Sequence, residues 1–202
     1  MENAEVSAGE FRNAYGKRRD SRVPADTELF ARILDRTQNV RSVIEFGAGQ
    51  GDNLLAIRRL LPNARLTGVE VNADACAKLA KLDIHAVNAN LLDYVPLTAW
   101  DLVLTKGLLI DIPPAQLELA FGVLYRSSRR YICIAECYNP LPETIEFRGY
   151  ARPPFRRDFA GEMIDMFPDL ELVSCGFAYN PRLRQQDSIT WFLLELQNLP
   201  RT

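Results

Sequence analysis

The 202-residue sequence predicts an α/β protein: a doubly wound, mostly parallel seven-stranded sheet with a C-terminal antiparallel hairpin. Three observations carry that expectation. Between Arg41 and Cys137, short apolar runs alternate with helix-like stretches, the chain order of a parallel sheet covered on both faces. The fifth run, Arg130–Cys137 (RYICIAEC), is apolar throughout, as a strand buried on both sides is. The last two runs, Leu170–Ala178 and Ile189–Leu196, are joined by a polar loop with no helix between them, which makes them an antiparallel pair.

The length suits one domain with a full core, and the 48% hydrophobic content is that of an ordinary globular chain. A formal charge of −2 gives no field to recruit nucleic acid or a membrane surface. There is no run of about 18 apolar residues to span a bilayer. The start, MENAEVSAGE, lacks the basic end and apolar centre of a signal peptide, so a cytoplasmic location is expected. Cys76, Cys133, Cys137 and Cys175 form no C-x-x-C pair and, with one histidine, no zinc pattern. They are expected to be small core residues, and no metal is expected.

In chain order, residues 1–26 mix basic and aromatic side chains in a polar background. Two readings stand: a solvated arm or frayed first helix, or a lid in which Tyr15 and Arg18 close a site over the domain at 27–198. Asp26 is expected to cap a helix from Thr27 to about Arg36, with Leu29, Phe30, Ile33 and Leu34 as its apolar stripe. A strand at about Arg41–Phe46 leads to a helix from Asn53 that stops at Pro62. Arg65–Val71 is the second strand; Asn72 and Asp74 open a helix over Ala73–Leu82. Ile84–Asn88 is the third strand. It carries His85 near its amino end, away from the carboxyl ends where ligands of open parallel sheets bind. Trp100–Thr105 is the fourth, followed by a helix over Pro114–Ser127. Tyr138–Phe155 holds four prolines and no period, so it reads as a long irregular loop, and Arg157–Phe167 as a helix capped by Asp158.

The turn after the first strand is VIEFGAGQG, residues 43–51. Strand, glycine turn and helix together aim backbone N–H groups at a ligand. A dinucleotide turn, G-x-G-x-x-G, would place its third glycine at Asp52, where a carboxylate repels pyrophosphate. The pattern present is E-x-G-x-G-x-G with Glu45 inside it, and a carboxylate suits a ligand bearing ammonium and sulfonium groups. Glu70, nineteen residues after Gly51 at a strand end, is placed to accept from two ribose hydroxyls.

On these residues the chain resembles the class I methyltransferases that use S-adenosylmethionine. It also resembles, from about Tyr15 to Glu195, the methylases associated with pseudaminic acid biosynthesis. That likeness is carried by EFGAGQGDNL (45–54), GVEVN (68–72), KGLLIDI (106–112), ECYNPLP (136–142), FRGY (147–150), FRRDFAGE (155–162) and ITWFLLE (189–195). The family pattern has His where Asp111 stands, Tyr where Cys137 stands and Lys where Arg156 stands.

The resemblance implies a Rossmann-like methyltransferase fold and S-adenosylmethionine as cofactor. Its site would be formed by Glu45, Gly47, Ala48, Gly49, Gly51, Asn53, Glu70, Val71, Asn90, Leu91 and Lys106, with Tyr15 and Arg18 over it. Asn90 would meet the adenine edge, because an amide both donates and accepts; its bland reading is a turn residue. The acceptor is expected to be small, polar and anionic, such as a nonulosonic sugar, held by Tyr138, Asn139, Arg148, Arg156 and Arg157. Asp111 and Glu136 are the candidate proton acceptors, and Asp111 needs partial burial to become basic enough. A monomer or homodimer is expected. The competing readings are a non-catalytic cofactor-binding protein of the same fold, an NAD-dependent oxidoreductase, and a nucleic-acid methyltransferase.

Overall fold

The structure is a computed structural model, and it describes residues 23–144, 155–178 and 189–197. Tyr15, Arg18 and Arg148 lie outside that range.

Ser42–Phe46 (β1) is buried at every position, as an apolar run in the middle of a sheet must be. Parallel neighbours flank it: Arg65–Val69 (β2) on one side and Trp100–Lys106 (β4) on the other. His85–Val87 (β3) extends the sheet beyond β2, and Ser128–Glu136 (β5) beyond β4. His85 is exposed at the amino end of its strand.

The expected C-terminal pair is present as Leu170–Ala178 (β8) and Ile189–Leu196 (β9). Its placement is more specific than a terminal hairpin. β9 inserts between β5 and β8, giving the order β3–β2–β1–β4–β5–β9–β8, so β9 alone runs against the rest. Gly176 faces Trp191 in this pair, and a side chain there would meet the indole at 2.7 Å.

Helices cover both faces. Val23–Leu34 (α1), Asp52–Leu60 (α2) and Ala73–Ala80 (α3) bury Leu29, Phe30, Ile33, Leu54, Ile57 and Leu79 against Val43, Leu102, Leu104, Tyr131 and Cys133. Leu117–Ser127 (α4) and Phe159–Met166 (α5) pack on the other face over Ile44, Phe46, Val103, Ile132 and Ile134. Asn72 caps α3 by accepting from Ala75 N, and Asp158 caps α5 by accepting from Gly161 N.

Three expectations are corrected. α1 starts at Val23, so Asp26 is inside the first turn rather than at the cap, and its carboxylate pairs with Lys106. The stretch after β5 is not wholly irregular: Glu143–Thr144 (β6) pairs with Phe155–Arg156 (β7) in a small antiparallel sheet beside the turn at Leu109–Asp111. Of the four cysteines, Cys76 and Cys133 are buried, but Cys175 is exposed on the edge strand β8. Among the described residues no helix is long and apolar enough to cross a membrane, and no group of three His, Cys, Asp or Glu is placed to hold a metal ion.

Candidate ligand site at the carboxyl edge of the sheet

The turn from Gly47 to Gly51 leaves β1 and enters α2 with all three glycines at positive φ. Each does different work. A side chain at Gly51 would strike Leu79 Cδ2 at 2.7 Å, so this glycine lets α2 sit down on α3. At Gly49 no described atom lies within 4 Å of the missing Cβ; its bare backbone borders open space. Gly49 N donates to Glu70 Oε2 at 2.8 Å, and Asn72 N to Glu70 Oε1 at 2.9 Å. Glu70 therefore ties the glycine turn to the end of β2. Gly68 on β2 supports the same turn, because a side chain there would meet Ala48 Cβ at 3.0 Å.

Behind the turn lies a polar chain. Glu45, fully buried in β1, accepts from Asn53 Nδ2 at 2.6 Å through Oε1. Its Oε2 is buried and bonds nothing among the described residues. Burial dominates its acidity, and despite Asn53 and Lys106 the carboxyl is pushed up to about 8. Lys106, at the end of β4, donates to Asp26 Oδ1 at 3.0 Å and Asn53 Oδ1 at 3.1 Å.

At the next strand ends, Asn88 Nδ2 donates to the carbonyls of Glu70 and Val71, and Val71 itself is exposed. Asn90 is exposed, and its Oδ1 accepts from Leu92 N, capping the single turn Leu91–Asp93; this is the turn role. Leu91 is buried beneath it.

The opposite face carries a second acid. Glu136 ends β5 and is 2% exposed. Its Oε1 accepts from Thr105 Oγ1 at 3.0 Å, Leu108 N at 2.9 Å and Leu109 N at 3.0 Å, which fixes the chain as it leaves β4. Its Oε2 is buried and bonds nothing among the described residues. Burial pushes this carboxyl up to about 7 against the lowering effect of those three donors, and the nearby Asp111 charge raises it further. Asp111, at the end of the turn Leu109–Asp111, is exposed, so it lacks the partial burial it would need to become basic enough.

Glu136 lies at the base of a shallow, narrow groove lined also by Tyr138, Arg157, Phe159, Thr190 and Phe192. Tyr138 is 39% exposed and leans on Phe192, with ring centroids 5.5 Å apart. Arg157 Nε donates to Glu162 at 2.6 Å, and its two terminal nitrogens bond no described residue. Arg156 Nε is buried with no partner among the described residues. Asn139 Nδ2 is taken by Glu143 Oε2 at 2.9 Å.

Thus the fold brings Glu45, Gly47, Ala48, Gly49, Gly51, Asn53, Glu70 and Lys106 to one edge, with Glu136, Tyr138, Arg156 and Arg157 beside them. Asp26, Asn88 and Thr105 were not among the site residues expected from sequence. Thr105 had a signal, as the lone hydroxyl ending an apolar strand; Asp26 had none, because its partner lies eighty residues away.

Solved structures with this architecture include magnesium protoporphyrin IX methyltransferase from Synechocystis PCC 6803 with bound S-adenosylmethionine. It is 10% identical, covers 97% of this chain and 87% of its own, and has a TM-score of 0.64. A second is 1,6-didemethyltoxoflavin-N1-methyltransferase from Burkholderia thailandensis, with its substrate and S-adenosylhomocysteine bound. It is 15% identical over 98% of this chain and 94% of its own, at a TM-score of 0.68. The glycopeptide N-methyltransferase MtfA is 9% identical over 86% of this chain and 95% of its own, also at 0.68. At such identities the likeness is one of fold, the Rossmann-like fold of these methyltransferases. No protein-family model matches the chain, and no curated protein matches it by sequence.

Proposed function

We propose that the chain is a methyltransferase that uses S-adenosylmethionine to methylate oxygen or nitrogen of a small, polar, anionic acceptor. The observation that carries this reading is the Gly49 backbone: a positive-φ glycine bordering open space, its N–H held by the acid that ends β2. The donor set fits the cofactor. Glu70, the carboxylate that ends β2, stands beside the open turn at Gly49, where ribose hydroxyls would meet it, and Glu45 has a buried oxygen for a cationic group.

Bound at this edge, S-adenosylmethionine supplies a methyl carbon already activated by the sulfonium. The protein's task is then alignment and charge. Asn90 offers its Nδ2 to a base edge while its oxygen stays on Leu92. Glu136, anchored through one oxygen, keeps the other for the proton of an acceptor hydroxyl, and its pKa, pushed up to about 7 by burial, makes it a stronger base suited to that exchange. Asp111, exposed, orients the acceptor rather than deprotonating it. The arginine forks of Arg156 and Arg157 support an anionic acceptor, and Tyr138 offers a ring to stack on a sugar or base. A nonulosonic sugar or a nucleotide-activated form of one has this chemistry, in line with the sequence resemblance.

Calorimetry tests the core of the reading. S-adenosylhomocysteine should bind at micromolar concentration and NAD should not; binding of NAD alone rejects it. Arg157→Ala and Arg148→Ala should raise the acceptor KM and leave cofactor affinity unchanged. Turnover of a neutral acceptor, indifferent to both changes, would reject the anionic class.

A further inference from the structure

A buried carboxyl oxygen without a donor is costly, so the free oxygen of Glu45 calls for an explanation in function. The groups around it explain why it stays free. Asn53 reaches Glu45 Oε1 with its Nδ2, and its other end accepts from Lys106 Nζ. An ammonium only donates, so Lys106 fixes the Asn53 amide with its oxygen outward and its NH2 toward Glu45. The Lys106 charge is near enough to Glu45 to lower its pKa. Lys106 is held by Asp26, in an ion pair whose side chains are 18% and 12% exposed. Asp26 comes from the first turn of α1, a different element from either partner.

We infer that Asp26 is a positioning residue of the cofactor site: by holding Lys106, and through it the Asn53 amide, it reserves one Glu45 oxygen for the ammonium of the ligand's amino-acid half. The inference rests on the S-adenosylmethionine reading above. It carries a proton consequence. The charged or titratable groups that bear on Glu45 are Asp26 from α1, Asp52 from α2, Lys106 from β4 and Cys133 from β5. Neighbouring β2 and β4 meet it in register with Gly68 and Leu104, which do not titrate. Buried and pushed up to about 8, Glu45 holds its proton at neutral pH and gives it up when a cation docks.

The test compares S-adenosylhomocysteine with 5′-methylthioadenosine, which lacks the amino-acid half, on the full chain. Heats of binding in buffers of different ionisation enthalpy count the protons. The wild type should release about 0.9 proton per S-adenosylhomocysteine at pH 7, falling toward zero by about pH 9, and none for methylthioadenosine. In Asp26→Asn, Lys106 turns to Glu45 and ionises it beforehand. Proton release at pH 7 should fall below half, and S-adenosylhomocysteine affinity about tenfold, while methylthioadenosine binds within about twofold of wild type. Glu45→Gln should abolish the proton release. Wild-type binding of S-adenosylhomocysteine without proton release overturns the inference and needs no variant to be folded. Equal losses for both ligands in Asp26→Asn also overturn it, by showing a purely structural role. A wild type that binds neither ligand overturns the cofactor reading, and this inference with it.

Discussion

Gly49 and Gly51 sit two residues apart in one turn, and the structure predicts opposite consequences when each becomes alanine. At Gly51, φ is 89° and ψ 15°, left-handed backbone that costs an L-residue about 1–2 kcal/mol. The new methyl would also lie 2.7 Å from Leu79 Cδ2 and 3.3 Å from Ile84 and Leu82, well inside the ~3.5–4.0 Å of a carbon contact. Overpacking of that kind costs about 1–3 kcal/mol, so Gly51→Ala should lose about 2–5 kcal/mol of stability. At Gly49, φ is 54°, but the methyl meets no described atom within 4 Å. Gly49→Ala should therefore lose only the backbone cost of about 1–2 kcal/mol. On the proposed cofactor reading its methyl would enter the open space through which a nucleoside approaches the turn, so affinity for S-adenosylhomocysteine should drop at least about tenfold, or 1.4 kcal/mol. Urea unfolding gives the first quantity for both variants, and calorimetry the second. Equal stability losses at the two positions would refute the packing assignment. Wild-type affinity in Gly49→Ala would refute the placement of the ligand.

Three further outcomes follow from the buried groups. Glu45 has a folded acidity near 8 against an ordinary 4.5, so the stability it contributes is fully present below about pH 4.5 and is lost as pH rises to about 8. Glu45→Gln should remove that loss, gaining on the wild type by up to about 1.4 kcal/mol per pH unit across the window; parallel urea midpoints from pH 5 to 8 would contradict it. Glu136→Gln should leave S-adenosylhomocysteine affinity near wild type and slow single turnover of a hydroxyl acceptor by about 10²–10⁴-fold, with a smaller effect for Asp111→Asn; an unchanged rate in Glu136→Gln would leave alignment as the main catalytic device. Gly176→Ala should push a methyl to 2.7 Å from the Trp191 ring and cost about 1–3 kcal/mol, visible as a changed tryptophan emission and a lower melting temperature; an unperturbed spectrum would refute the contact.

The alternation of strands and helices is legible in the string of residues, as is the glycine turn with its two acids, Glu45 and Glu70. Those are local properties. Apolar period, turn glycines and helix caps such as Asn72 and Asp158 act over a few residues, so they read directly from the string. The position of β9 between β5 and β8 was not local: both orders share one chain pattern, and only pairing across the sheet separates them. Asp26 shows the same limit at the site. Its residue type and its place before an apolar stripe fit a helix cap, but the helix starts earlier and the carboxylate finds Lys106 instead. The two candidate bases exchanged their prospects for a similar reason. Asp111 and Glu136 are equally acidic in sequence; the sheet buries Glu136 under α5 and anchors one of its oxygens, while Asp111 is left on the surface. Burial is a property of what packs overhead, and tertiary structure alone decides which carboxyl is desolvated and so which is shifted toward neutrality.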